Sequence, residues 1–204
     1  MLIARIPKLF GRLFRRLVWS FPGEEKVIYL TFDDGPTCGV TEWVLDQLDL
    51  HEAKATFFCL GKNVAEHPEL FRKMKENGHA VGNHSWSHAK GFRCSVGSYM
   101  QNVGKADELI GSKLFRPPYG RIRPVQVRKL IKEYRIIMWS VLSVDYNRKI
   151  SSETVKKNVL RNVFPGAIVV FHDSEKASRH LYNVLPEILK VLKEEGYDFR
   201  AIGD

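Results

Sequence analysis

Val27-Ile28-Tyr29-Leu30-Thr31-Phe32-Asp33-Asp34-Gly35-Pro36 is an apolar run that stops in two carboxylates and a turn. Its β-branched and aromatic residues predict a strand over Val27–Phe32, and Gly35-Pro36 predicts the turn that ends it. The pattern recurs along the chain. Ala55–Leu60, His79–Asn83, Leu114–Arg116, Ile136–Val141, Ala167–Phe171 and Phe199–Ile202 read as six further strands. Amphipathic stretches at Val40–His51, Val64–Asn77, Val96–Ile110, Pro124–Tyr134, Ser152–Val163 and Leu181–Glu195 read as helices between them. Regular βα alternation implies parallel strands joined by right-handed crossovers, as an open sheet or a closed barrel. Either architecture gathers ligand-binding residues at the carboxyl ends of the strands.

The chain has 204 residues, 44% of them hydrophobic and 27% charged, which suits one globular domain with a substantial core. Its net charge is +9, and Arg5, Lys8, Arg12, Arg15 and Arg16 supply five of those charges before any acidic residue appears. Charge gathered in a terminal segment argues against a nucleic-acid binder, which carries a basic stripe on its folded domain. Cys38, Cys59 and Cys94 form no CxxC pair and are odd in number, so reduced thiols in a cytoplasmic setting are expected.

Residues 1–22 form a basic leader ahead of a domain spanning 23–204. Leu2, Ile3, Ile6, Leu9, Phe10, Leu13, Leu17 and Val18 recur at helical spacing, with the basic residues mostly on the complementary face. This predicts an amphipathic helix over residues 2–19 that lies at the inner face of a membrane, or packs over the bottom of the domain. Arg and Lys interrupt the stretch too often for an ordinary secretory signal.

The chemistry-bearing residues end the expected strands. His84 and His88, at i and i+4, fall on one side of a helical turn and with Asp34 make a three-ligand set for a divalent metal that keeps room for water. Asp33 projects away from Asp34 and is the candidate general base; His172 is the candidate acid for a leaving amine. Arg116 enters a turn stiffened by Pro117 and Pro118, which aims it at Asp33 and the Tyr119 amide at a developing oxyanion. A surface HxxxH, a DDGP turn and a strand-end histidine are each commonplace alone. Their convergence on one rim carries the reading.

In order and spacing, TFDDGP, HSxxH, RPPYG and the terminal VFH resemble the first, second, third and fifth motifs of the polysaccharide deacetylase family, carbohydrate esterase family 4, whose domain is named for the nodulation chitooligosaccharide deacetylase. The resemblance runs from about Val27 to the C-terminus. It implies an α/β fold, a distorted (β/α)7-type barrel of parallel strands. It also implies one divalent metal, Zn2+ ahead of Co2+, Ni2+, Fe2+ or Mn2+, on Asp34, His84 and His88. The roles it implies are Asp33 as base, Arg116 orienting it, Tyr119 donating its N–H and His172 as acid. The implied reaction removes N-acetyl groups from N-acetylglucosamine-type saccharides.

The fourth motif departs from the family's usual Trp-Ser-x-Asp-x-x-Asp-Trp: Leu142 takes the first acidic position and Tyr146 the aromatic one. The resemblance implies that this missing carboxylate normally supports the acid histidine by favouring its charged form, so three outcomes are open for His172: Asp145 substitutes, the pH optimum moves acidic, or catalysis weakens. The leader favours a polyprenyl-linked substrate. Other readings are an O-acetyl esterase, a catalytically impaired sugar-binding module, and a two-His-one-carboxylate iron oxygenase, the last poorly suited to βα alternation.

Overall fold

A computed structural model describes residues 4–6, 14–21, 23 and 25–203. Its centre is β1 (Val27–Asp33), buried on both faces as a strand inside a parallel sheet must be. β2 (Ala55–Cys59), β3 (Ala80–Asn83), β4 (Leu114–Phe115) and β5 (Arg135–Ile136) follow on one side, and β7 (Ala167–His172) and β6 (Val141–Leu142) on the other. Every pairing among these strands is parallel. β8 (Asp198–Phe199) pairs with the first two residues of β1.

β5 and β6 are two halves of one extended run at opposite ends of that order. Ile137 N–H donates to Phe115 O at 2.9 Å, whereas Ser140 N–H donates to Ile168 O at 3.1 Å. The strand expected at Ile136–Val141 therefore changes partner midway and brings the two edges of the sheet together. This produces the distorted barrel.

The leader enters that seam. Val18 N–H donates to Ile136 O and Val18 O accepts from Met138 N–H, at 2.9 and 2.7 Å; Ile6 N–H and Ala4 O engage Ser140 and Leu142. Arg5, Val18 and Ser20 form β-bridges to Val141, Ile137 and Ala167. The expected amphipathic helix over residues 2–19 is thus corrected at residues 4–6 and 14–19, where a turn and β-bridges stand in its place. Edge strands with free N–H and C=O groups recruit extended chain, which outweighs a helical apolar spacing. The rest of residues 2–19 lies outside the described residues. Gly166 (φ 83°) accommodates the leader: a Cβ there would sit 1.5 Å from Phe21 O.

Seven helices cover the described barrel: α1 (Val40–Leu50), α2 (Gly61–Glu66), α3 (Pro68–Glu76), α4 (Val96–Ile110), α5 (Pro124–Leu130), α6 (Ser152–Leu160) and α7 (Glu175–Glu194). The single helix expected over Val64–Asn77 is two, because Pro68 opens a new helix at its first position. The period-2 alternation of β1 sorts the core. Ile28, Leu30 and Phe32 join the helices' Val44, Leu45, Leu185 and Ile188, whereas Tyr29 packs inside the barrel with Phe58, Ile137, Ile168 and Ile202. Thr31 and Asp33 continue that inner face upward.

Candidate active site

Parallel register sets Asp33 of β1 directly beside His172 of β7. Arg116, fully buried one residue past β4, spans the barrel interior over the Phe58 ring, 4.1 Å from its centroid. Its Nη1 donates to Asp33 Oδ1 and Thr31 Oγ1, both at 2.7 Å, its Nη2 to Met138 O at 2.8 Å and its Nε to Ile137 O at 3.2 Å. A buried guanidinium this fully engaged fixes the carboxylate's direction. Burial opposes the Asp33 charge, but Arg116, His84 and His172 outweigh it and hold its pKa below the ordinary value.

Asp34, His84 and His88 come together as expected, with one ligand atom from each lying within 4.8 Å of the others. His88 Nε2 is 3.3 Å and His84 Nε2 3.7 Å from Asp34 Oδ1, and that oxygen is buried with no hydrogen-bond partner. His84 Nδ1 lies 2.8 Å from Arg116 O, and a carbonyl only accepts, so Nδ1 carries a proton and Nε2 is the ring nitrogen turned toward Asp34. Burial, then the neighbouring His84, lower the His88 pKa to about 4, leaving the neutral imidazole a metal requires. Two imidazoles, one of them held neutral by its surroundings, beside an unsatisfied carboxylate fit a divalent ion. Zinc suits these nitrogen and oxygen donors.

The helical turn expected for His84 and His88 is absent. Left-handed backbone at Ser85 (φ 68°) and His88 (φ 56°) brings the two rings together instead. Asn83 Oδ1 accepts from Ser85 N–H at 2.8 Å, Ser85 Oγ from Ala89 N–H at 3.1 Å and Asn102 Oδ1 from Trp86 N–H at 3.0 Å. Asp34 (φ 83°), Tyr119 (φ 61°) and Val144 (φ 66°) are left-handed too. Such conformations cost about 1–3 kcal/mol each and persist where the surroundings over-determine them, characteristically at functional sites.

On the opposite wall, His172 Nδ1 and the His172 N–H meet the two oxygens of Asp145, each at 2.7 Å. Of the three outcomes open for the fourth motif, Asp145 as the supporting carboxylate is the one realised. Leu142 only lines the cleft. Burial would depress the His172 pKa, but the charge and hydrogen bond of Asp145, then Asp34 and Asp33, raise it to about 9. Tyr146 stands edge-on to the His172 ring at 5.1 Å, and the half-exposed Tyr119 ring packs on His88 at 4.3 Å. The turn at Pro118–Gly120 uses the N–H groups of Gly120 and Arg121, not that of Tyr119.

Asp173 is a supporting residue that the motifs did not single out. Fully buried, it accepts from Gly35 N–H at 3.0 Å and from Thr41 Oγ1 at 2.6 Å, holding the turn after Asp34. A Cβ on Gly35 would lie 2.0 Å from its Oδ2, so only glycine fits. Its position directly after His172 was the available signal.

These residues floor a cleft of about 580 Å³, also lined by Trp139, Leu142, Tyr146 and the loop Lys90–Arg93. Two adjacent carboxylates, three histidines and a buried arginine on one cleft are the kinds of group that a hydrolase site is built from. The polysaccharide deacetylase family model matches residues 21–139, and the chain belongs to that family. It is accordingly a carbohydrate deacetylase, and metal dependence is general in this family. A peptidoglycan-N-acetylglucosamine deacetylase of Bacillus cereus is 34% identical over 191 residues, spanning 89% of this chain and 68% of the relative. The peptidoglycan-N-acetylmuramic acid deacetylase PdaC of Bacillus subtilis is 34% identical over 197 residues, spanning 91% of this chain but 41% of that longer relative. A crystal structure of a peptidoglycan N-acetylglucosamine deacetylase in complex with 4-naphthalen-1-yl-N-oxidanyl-benzamide superposes with a TM-score of 0.88 at 31% identity, covering 97% of this chain and 95% of the other.

Proposed function

We propose that the chain hydrolyses the N-acetyl amide of an N-acetylglucosamine-type or N-acetylmuramic-type saccharide, with a divalent ion, Zn2+ foremost, on Asp34, His84 and His88. A cation held there supplies the Lewis acidity that makes water nucleophilic near neutral pH. Asp33, with its pKa held low and its direction fixed by Arg116, takes the proton of the attacking water. Tyr119 offers an N–H that its turn does not consume to the oxyanion, and His172 gives its proton to the departing nitrogen.

The observation that carries this reading is His172 gripped twice by Asp145 beside Asp33. An amine leaves only once protonated, whereas an alkoxide from an O-acetyl ester is a far better leaving group. A histidine poised to stay protonated therefore favours the amide over the O-acetyl esterase alternative. The same contact removes the motive for an impaired sugar-binding module, which rested on Leu142.

Attachment at a membrane surface and a polyprenyl-linked substrate depended on a helical leader. Val18 and Ser20 in the barrel seam withdraw that support, and neither enters the proposal. No helix among the described residues is long and apolar enough to cross a membrane. The relatives named for peptidoglycan point to a cell-wall substrate, so the cytoplasmic setting expected from the free cysteines is not retained in this reading either.

Mass spectrometry of acetylated chitooligosaccharides and muropeptides after incubation tests the proposal. Loss of 42 Da per acetyl group, about the mass of ketene by which amide and amine differ, should occur with metal and stop with chelator or Asp33→Asn. Unchanged masses whichever metal is supplied would refute it.

A further inference from the structure

We propose that the mouth of the cleft is a subsite for an oxyanion substituent, a carboxylate or a phosphate, on the saccharide being deacetylated; this rests on the deacetylase reading. Lys90, Arg93, Arg121 and Lys176 all line the cavity. The acidic residues lining it are Asp33, bound by Arg116, and Asp34, at the two histidines. Among the described residues none of the four cations forms a salt bridge. Some surface cations elsewhere do: Arg72 meets Glu69 and Glu76, Lys156 meets Glu153 and Glu187, Lys193 meets Asp198, and Arg200 meets Glu25. Asp33 and Asp34 are already engaged, so no other lining carboxylate offsets the four cations at the rim.

The rim is built rather than loose. Gln126, fully buried, donates from Nε2 to Gly91 O at 2.9 Å and accepts at Oε1 from Arg123 N–H at 2.8 Å. Arg123 Nη2 donates to Phe92 O at 2.5 Å, and Arg93 N–H closes a turn onto Lys90 O at 2.8 Å. These bonds tie the segment carrying Lys90 and Arg93 to the segment carrying Arg121. Between the cations stand two aromatic faces open to solvent, Phe92 at 55% and Tyr119 at 51% exposure. The ammonium of Lys90 lies 5.3 Å from the Tyr119 centroid, and that of Lys176 5.5 Å from the Tyr146 centroid. Flat apolar rings take the C–H face of a sugar, and cations beside them take its acidic substituent. Unpaired charge along a cleft focuses the field and raises the local concentration of anions by roughly 10–1000-fold at low salt.

Three disaccharides that differ in one substituent test this: one with a lactyl carboxylate, its methyl ester, and one with a phosphate monoester. The acid should exceed the ester in kcat/KM by about tenfold at low ionic strength, through KM, with the ratio falling toward unity at high salt as charges are screened. Removing Lys90, Arg93 and Arg121 together (each to Ala) should collapse that ratio, whereas Lys190→Ala, on the far part of α7 beside Glu194, should not. The better of carboxylate and phosphate identifies the source of the oxyanion. Equal kcat/KM for acid and ester at every salt concentration would overturn the subsite while leaving the deacetylase reading intact. Acetate release from none of the three would remove that reading and this inference with it.

Discussion

His79 and His84 bracket β3, and both are buried, yet they do opposite things. At the amino end, His79 lies edge-on to Phe57 and accepts at Nδ1 from Ala55 N–H at 3.2 Å. Its pKa falls to about 4, through burial first and Lys54 second, so it stays neutral. The cavity beside it, about 450 Å³, is lined by glycines, small apolar groups and Lys75, with no carboxylate among the lining residues. At the carboxyl end, His84 donates from Nδ1 to Arg116 O and turns Nε2 toward Asp33 and Asp34, at 4.0 and 3.7 Å. A strand-end histidine is thus a packing group or a ligand according to what the neighbouring strands bring to it. In a parallel barrel, the carboxyl ends bring the loops.

The sharpest way to break that contrast is Asp33→Asn, which keeps shape and removes the base. Turnover should fall roughly 10²–10⁴-fold, while metal content by elemental analysis stays at wild-type level. Turnover equal to wild type would reject the base. Next, His84→Ala should weaken zinc affinity by more than the ~10–100-fold typical of losing a supporting residue, whereas His79→Ala should leave it unchanged in the same titration.

Asp145→Asn removes the charge that holds His172 protonated. The raised pKa places the alkaline limit of an acid-dependent rate near pH 9; without Asp145 burial prevails, and that limit should move down by about 1–3 units. The stability sign runs the same way. A histidine whose pKa rises on folding stabilises fully below its unfolded value, near 6.5, and the contribution is lost as pH climbs to about 9. A pH–rate profile unmoved by Asp145→Asn would detach the acid from its support.

The smallest effect separates the two histidines by stability. His79 is disfavoured as a cation, so the unfolded chain binds the extra proton, and stability should fall as pH drops from about 6.5 to about 4. His79→Ala should cost about 1–3 kcal/mol at pH 7 from the stranded Ala55 N–H and lost packing, and should flatten that acid limb in chemical denaturation. An unaltered limb would mean another group titrates there.

Much of this was legible in the chain. Val27–Phe32 as a strand, Val96–Ile110 as a helix and five motifs at strand ends follow from periodicity and turn chemistry, which are local. The helix expected over residues 2–19 fails at 4–6 and 14–19 because apolar spacing at three and four says nothing about an open seam that only the closed barrel creates. The HxxxH spacing suggested a helical turn, but Ser85 and His88 adopt left-handed backbone in a loop held by Asn83 and, from sixteen residues away, by Asn102 on Trp86, a contact no local window contains. Leu142 was weighed as a lost carboxylate because motif counting cannot see which of two nearby positions faces His172.

Residue order alone determined which groups are the candidates for chemistry, since metal ligands, base and acid have to be particular side chain types whatever the packing. Tertiary structure decided how they are oriented and charged. Asp145 reaches His172 because Val144 turns left-handed, Arg116 points at Asp33 because Thr31, Ile137 and Met138 fix its remaining donors, and Arg5, Val18 and Ser20 bridge to the barrel because two sheet edges needed partners. Pairing across a barrel is set by long-range register and burial, and neither is written in any single stretch of the chain.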